Sequence, residues 1–126
     1  KVAIGGEKLY QMNCLMCHQK NGKGDGTRFP SIAASDWVNG NKDTLISVLL
    51  KGLEGPIKIN GEPFVGMMPK FSQLPDQDIA SILSYIRRSF DNHSDSVTKT
   101  EVAIVRQRLR LIKMKQMQLQ VLSDKK

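Results

Sequence analysis

The residues Cys14-Leu15-Met16-Cys17-His18 form a C-x-x-C-H motif, the pattern by which a c-type haem is attached to a polypeptide. Two thiols three positions apart can each add to one vinyl group of the porphyrin, which gives two thioether bonds. His18 follows the second thiol directly, so one of its ring nitrogens can donate to the iron as an axial ligand. The motif therefore predicts one covalent haem c with its iron, held by Cys14, Cys17 and His18.

Two other uses of paired cysteines compete with this interpretation. A thioredoxin-like dithiol expects a βαβ pattern around it, and the sequence here has none. A structural zinc site usually needs four protein ligands. Cys14 and Cys17 are the only cysteines, and His93 is the only other strong ligand candidate. We therefore prefer the haem interpretation.

The stretch Gly66-Met67-Met68-Pro69 supplies a candidate for the second axial ligand of the iron. A methionine thioether raises the reduction potential of haem iron and favours electron transfer. A methionine taken alone is more often core filler, but the loop setting and the rigid Pro69 favour a ligand here. Met68 is the predicted ligand because it precedes Pro69, and Met67 stays open as its rival.

Two further residues, Pro30 and Trp37, are predicted to contact the haem. Pro30 has no N–H to offer but leaves a carbonyl free nearby. A carbonyl that accepts from the other nitrogen of His18 would fix the orientation of that ring. Trp37, the single tryptophan, can pack against the porphyrin and donate to a propionate, and ordinary core packing explains it equally well.

Apolar periodicity and boundary residues predict three helices in the first ninety residues. The first runs from about Gly5 to the C-x-x-C-H motif, the second begins at Asn41 and stops at Gly52, and the third begins near Pro75. Between the second and third helices, Asn60-Gly61 predicts a short β-hairpin.

The C-terminal residues predict a long helix that begins with a capping box at Thr98 and Glu101. Its apolar positions recur at helical spacing, and only Gln116 interrupts them: Val102, Val105, Leu109, Ile112 and Leu119. Residues 98–126 carry a net charge of +6, whereas residues 1–97 carry only +1. We therefore expect a domain over 1–97 and a basic amphipathic extension over 98–126, which docks a partner or packs against its own domain.

The basic extension also bears on the kind of partner. It has no aromatic residue to stack on a base, so we expect no nucleic acid, and an acidic protein surface or a membrane surface fits better. The sequence has no apolar run of about 20 residues, the length that would predict a transmembrane segment. The chain begins with Lys1, without a signal peptide, which suggests an exported protein whose signal peptide has been removed, or a domain cut from a longer protein.

Taken together, these residues resemble the class I cytochromes c, over roughly Gly5 to Phe90. The resemblance extends to single-haem domains that serve as partners or fused modules of bacterial periplasmic dehydrogenases and reductases. The stretches that carry it, besides the C-x-x-C-H motif, are Gly52-Leu53-Glu54-Gly55-Pro56-Ile57, Asn60-Gly61, Gly66-Met67-Met68-Pro69, residues 79–87, Val97-Thr98 and Glu101-Val102. The resemblance implies a small all-α fold around one covalent haem, whose first and last domain helices cross near Gly6, Tyr10, Ile82 and Tyr85.

The resemblance also implies a function. Members of this family transfer one electron at a time as the iron cycles between ferric and ferrous states. The expected partners are redox proteins in the bacterial periplasm, such as a dehydrogenase, a reductase or a terminal oxidase. If Met68 does not ligate the iron, an open-haem enzyme or a haem sensor becomes the alternative. A sensor or structural module whose basic helix binds a membrane or dimerises also stays open.

Overall fold

A computed structural model describes residues 5–26 and 28–125. Within these ranges the chain forms five helices and four short strands. In chain order they are α1 (Gly6–Asn13), α2 (Leu15–His18), α3 (Lys42–Lys51), β1 (Leu53–Glu54), β2 (Ile57–Ile59), β3 (Glu62–Phe64), β4 (Met67–Met68), α4 (Asp76–Arg88) and α5 (Lys99–Asp124). The helical fold, the short hairpin and the long C-terminal helix are confirmed.

The four strands form two nested antiparallel pairs between α3 and α4. β2 pairs with β3 so that Ile57 lies opposite Phe64, and Asn60 and Gly61 turn the chain with positive φ angles of 52° and 81°. This is the predicted hairpin. β1 pairs with β4, an arrangement that the sequence analysis does not predict. The outer pair encloses the hairpin and holds both ends of the segment together.

The first helix crosses α4 at very short range because Gly6 has no side chain. A Cβ at Gly6 would lie 2.2 Å from the backbone oxygen of Ser81 and 2.8 Å from the Cβ of Tyr85. One turn later the ring of Tyr10 packs against those of Tyr85 and Phe90, with centroids 5.8 and 5.2 Å away. The predicted helix crossing is confirmed.

A single apolar core lies between α1, α3, α4 and the first turns of α5. Burial of this apolar surface is the main favourable contribution to folding. Its most deeply buried side chains are Leu9, Tyr10, Ile46, Ile79, Ile82, Leu83, Val102 and Val105.

The long helix α5 begins inside this core and then leaves it. The predicted capping box is present, since the hydroxyl of Thr98 accepts from the N–H of Glu101 at 3.1 Å and the Glu101 carboxylate accepts from the N–H of Thr98 at 2.9 Å. Val102 and Val105 are buried, whereas every residue from 110 to 125 is exposed. In the ranges that the structure describes, no helix is both long and apolar enough to cross a membrane.

One carboxylate joins three helices at the base of α5. Asp95 accepts a hydrogen bond from the buried guanidinium of Arg87 at 2.9 Å and lies 2.8 Å from the ammonium of Lys42. Lys42 in turn lies 3.2 Å from the Glu101 carboxylate. Hydrogen bonds from Lys42 and then Arg87 lower the pKa of Asp95 to about 2, because they favour its charged form. The cluster therefore ties α3 and α4 to the start of α5.

We expect Gly6→Ala to destabilise the protein by about 3 kcal/mol, at the upper end of overpacking penalties, because the atom that obstructs the new methyl is a backbone oxygen. Denaturant unfolding measures this loss. Gly5→Ala is the matched control, since nothing lies within 4 Å of its Cβ position, and it should cost about 1 kcal/mol at most, through the poorer helix cap. Equal losses in the two variants would contradict the close helix crossing.

The Asp95 cluster predicts a pH-dependent contribution to stability. Because the pKa of Asp95 is about 2 in the folded chain against an ordinary 3.8, its contribution is complete above about pH 4 and is lost as the pH falls through 2. Asp95→Asn should therefore lower the free energy of unfolding at pH 7 by an amount that is much smaller at pH 2. Glu62→Gln, an exposed carboxylate on β3, is the control and should show no such difference. A loss in Asp95→Asn that is equal at both pH values would contradict the assignment.

Candidate functional site

The C-x-x-C-H motif lies at the end of α1 and forms a helical turn of its own. α1 ends at Asn13, and α2 then places Cys17 and His18 on a single turn. Cys14 and Cys17 do not form a disulfide with each other, and Cys14 is buried. Burial, with a smaller contribution from the charge of Cys17, raises the pKa of Cys14 to about 11. A redox-active dithiol depends on a lowered thiol pKa, so this environment does not favour thioredoxin-like chemistry.

His18 is held by one hydrogen bond that leaves its other nitrogen available. Its Nδ1 lies 3.0 Å from the carbonyl oxygen of Pro30, which can only accept, so the Nδ1–H donates and Nε2 keeps its lone pair. Burial lowers the pKa of His18, with the Pro30 hydrogen bond opposing it in part, so the ring is neutral at neutral pH. Pro30 thus occupies the position that its predicted role requires.

Two adjoining cavities meet at these residues and share His18, Pro30, Leu53 and Met68 as walls. We call them together the crevice. Cys17 lines its outer part and Cys14 its inner part. The inner part is lined almost entirely by apolar side chains from α3, α4, the hairpin and the segment before α3, among them Ile32, Val38, Leu45, Leu49, Ile59, Ile82, Leu83 and Ile86.

The β1–β4 pair positions Met68 against this crevice. Met68 lies opposite Leu53 and is half-buried, whereas the side chain of Met67 is 71% exposed. Gly52 makes the pairing possible, because a Cβ there would lie 2.6 Å from the carbonyl oxygen of Met68, and its φ of +76° favours glycine. Successive residues of a strand point to opposite faces, which explains why the two methionines differ.

These residues fit a covalently attached haem. Two unpaired thiols, an imidazole with a free lone pair and a thioether are chemically suited to attach the porphyrin and to ligate its iron. The walls around them are apolar, as a buried porphyrin ring requires. The donor groups and the walls that carry them all border one crevice.

The structure assigns Trp37 a hydrogen bond that the sequence analysis does not predict. Its ring lines the inner crevice, and its indole N–H donates to the carbonyl of Lys58 at 2.7 Å, which holds the hairpin in place. Tryptophan has a single donor, so donation to a haem propionate would require this hydrogen bond to break. That donation and the packing of the ring against the porphyrin both stay predictions.

A second set of hydrogen bonds at the hairpin is not predicted by the sequence analysis. The amide oxygen of Asn60 accepts from the backbone N–H of Asp36 at 2.9 Å, and the Asp36 carboxylate accepts from the N–H of Asn60 at 3.0 Å. The side-chain amide of Asn60 also donates to the carbonyl of Ala34 at 3.3 Å. Asn60 signals a turn in the sequence, and nothing local indicates that it also anchors the turn to the segment before Trp37.

The zinc alternative finds no support in the structure. His93 is exposed in the segment between α4 and α5. Within residues 5–26 and 28–125, no group of three or more histidine, cysteine, aspartate or glutamate side chains is arranged to hold a metal ion.

A comparison with known families settles the membership of the chain. The family model described as cytochrome c matches residues 3–89. The chain belongs to the cytochrome c family. As a class I member it carries haem c, with iron, attached through Cys14 and Cys17.

Named relatives fall into two groups. Cytochrome c-552 of Thermus thermophilus is 40% identical over 85 residues, which cover 64% of this chain and 64% of that protein. The cytochrome c subunit of alcohol dehydrogenase (quinone) from Gluconobacter oxydans is 29% identical over 71% of this chain and 19% of its own. The gluconate 2-dehydrogenase cytochrome c subunit from Pantoea cypripedii is 31% identical over 80% of this chain and 24% of its own. The match thus spans less than two thirds of the length of each of these relatives.

Trp37→Phe tests the structural role assigned to Trp37. It keeps an aromatic ring against the crevice and removes the hydrogen bond to Lys58, so we expect a loss of about 1 kcal/mol in the free energy of unfolding. The reduction potential should stay unchanged, because the removed N–H is already bonded to the carbonyl of Lys58. Denaturant unfolding and a potentiometric titration measure the two quantities. A shifted potential with unchanged stability would support the propionate interpretation.

Proposed function

We propose that this chain passes single electrons to or from a bacterial periplasmic oxidoreductase, as its cytochrome subunit or as its dedicated redox partner. The observation that carries the proposal is that His18 and Met68 line the same apolar crevice, beside the two cysteines. An imidazole and a thioether together leave an iron without an open position for substrate, which suits electron transfer.

In this proposal His18 and Met68 would ligate the haem iron. When bound, the haem supplies the one-electron couple between ferric and ferrous iron. His18 offers Nε2, and the carbonyl of Pro30 holds the ring in one tautomer and orientation. Met68 offers its sulphur from a strand that pairing with β1 keeps in place. Met67, on the opposite face of that strand and largely exposed, is the weaker candidate.

The surface beside the crevice supports an approach by a redox partner. Three large apolar side chains are exposed there, and we call them the apolar rim: Met16 next to Cys17, Val65 next to Phe64, and Met67 in the outer wall. Residues 1–97 are nearly neutral, so contact at the rim would be governed by apolar burial more than by charge. A partner that covers the rim would come close to the haem edge.

The named relatives support the class of partner that we propose. Two of them are cytochrome c subunits of dehydrogenases, and all those described above come from bacteria. We therefore assign the chain to a dehydrogenase, reductase or terminal oxidase of the bacterial periplasm. The protruding half of α5 is the part of the chain that we assign to docking on such a partner or to dimerisation.

Substitution of the methionines tests this function. In the haem-loaded chain we expect a potentiometric titration with one-electron behaviour and a ferric spectrum with the sulphur-to-iron charge-transfer band. Met68→Leu should abolish that band and lower the reduction potential, because the thioether that raises it is lost. The matched control Met67→Leu should keep both the band and the potential.

Two results would count against the proposal. Loss of the band in Met67→Leu instead of Met68→Leu would exchange the assignments of the two methionines. A wild-type chain without the band that also turns over peroxide would favour an open-haem enzyme over an electron carrier.

A further inference from the structure

One side of α5 carries a row of mainly apolar residues, interrupted by two glutamines, that begins beside the domain and continues towards the end of the helix. We call this row the outer seam, and its members recur at alternating spacings of three and four residues. They are Ile104, Gln107, Leu111, Met114, Gln118 and Val121. Such a spacing is the repeat by which one α-helix packs lengthwise against another.

The outer seam faces away from the chain's own domain. The buried Val102 and Val105 and the partly buried Leu109 each precede a member of the seam by two positions, which is about 200° around a helix of 3.6 residues per turn. Val102 and Val105 are buried in the core, while Ile104 between them is 53% exposed. Packing of α5 against its own domain therefore uses the opposite side of the helix.

The distal part of the outer seam is uncovered along its length. The exposed fractions are 54% for Leu111, 52% for Met114 and 53% for Val121. Single exposed apolar residues are ordinary on protein surfaces, but a row at coiled-coil spacing marks an interaction surface.

Charge restricts what can cover this row. From Val102 to Ser123 the helix has five Arg or Lys residues and no carboxylate. The first two cations are neutralised at the base, because Arg106 lies 2.7 Å from an oxygen of Asp76 and Arg108 lies 3.3 Å from one of Asp43.

The next three cations have no such partner. Arg110, Lys113 and Lys115 form no ion pair within the part of the chain that the structure describes. Arg110 and Lys115 flank the outer seam, one on each side. The occupant of the seam must therefore be acidic.

A second copy of the chain does not meet this requirement. In a parallel pair formed through the outer seam, Arg110 of one helix would face Lys115 of the other, the flanking positions that decide partner choice in coiled coils. Like charges there are repulsive, so the seam is better matched by a different polypeptide.

A lipid surface also fits poorly. Gln107 and Gln118 lie within the seam, and an amide buried among acyl chains would lack hydrogen-bond partners. Residues 98–126 contain no tryptophan, tyrosine or phenylalanine, the side chains that anchor interfacial helices. A protein helix can offer both apolar contact and polar partners for the two amides.

We propose that the outer seam binds an α-helix of a different protein, whose own apolar row is flanked by carboxylates opposite Arg110 and Lys115. This deepens the docking role of α5 and rests on the proposed function only in assigning that helix to the oxidoreductase. The interaction holds the two proteins together through the extension and leaves the apolar rim free.

The test uses the full haem-loaded chain and two fluorescent synthetic helical peptides. Both carry leucine along the seam, one with glutamate and the other with lysine at the flanking positions. We expect the glutamate peptide to bind at least about tenfold more tightly than the lysine peptide, and its binding to weaken with salt. Fluorescence anisotropy measures both affinities.

Two double variants locate the surface. Leu111→Lys with Met114→Lys should weaken binding of the glutamate peptide by about tenfold or more, because two apolar contacts are lost. Gln116→Lys with Gln120→Lys adds the same charge on the opposite side of α5 and should not weaken it. Both pairs lie on the exposed half of the helix, so the domain fold is not disturbed.

Three results would overturn the proposal. Equal affinity for the two peptides would remove the charge requirement. A dimer of the chain in sedimentation equilibrium that Leu111→Lys with Met114→Lys abolishes would assign the seam to a second copy. Binding to phosphatidylglycerol vesicles that the same variant abolishes would assign it to a membrane. The haem spectrum and the potentiometric titration of each variant test the electron-transfer function separately, since neither measurement depends on peptide binding.

Discussion

The contact between α1 and α4 at Gly6 is the constraint on which the site depends. Backbone meets backbone there, since the Cβ position of Gly6 lies 2.2 Å from the oxygen of Ser81. α1 leads directly into Cys14, so its placement on α4 also sets where the thiols and His18 lie. The next turns of α4 line the inner crevice through Ile82 and Ile86. One helix crossing therefore brings the attachment motif to the apolar wall.

Features that depend on neighbours in sequence could be predicted. The C-x-x-C-H motif, the capping box at Thr98 and the Asn-Gly hairpin each act within a few residues, and the helices follow from their apolar spacing. The β1–β4 pair could not be predicted, because two-residue strands show no periodicity. The partner of the Trp37 indole lies 21 residues away, at Lys58, and only the folded chain brings the two together. For the same reason the sequence favours Met68 over Met67 only through the neighbouring Pro69, and the exposure of Met67 becomes visible only in the folded chain.

The structure also explains how a protruding helix can have a defined direction. Val102 and Val105 are buried in the core, and Arg106 donates to Asp76 and to the carbonyl of Leu74 at the start of α4. The Asp95 cluster ties the N-terminal end of α5 to α3 and α4. A segment that is already ordered loses less conformational entropy when it binds, so a stiff extension suits tighter docking than a flexible tail of the same composition.

The distribution of charge separates two tasks along the chain. In the two proposals, electrons are exchanged at the apolar rim of a nearly neutral domain, and Arg110, Lys113 and Lys115 attract an acidic partner. At 1.5 Å per residue, Lys113 lies about 12 Å along the axis beyond the buried Val105. This exceeds the screening length of about 8 Å at physiological ionic strength, so Lys113, and Lys115 beyond it, act weakly on the domain that binds the haem. A partner can therefore be held by the extension without a change in the electrostatic environment of the crevice.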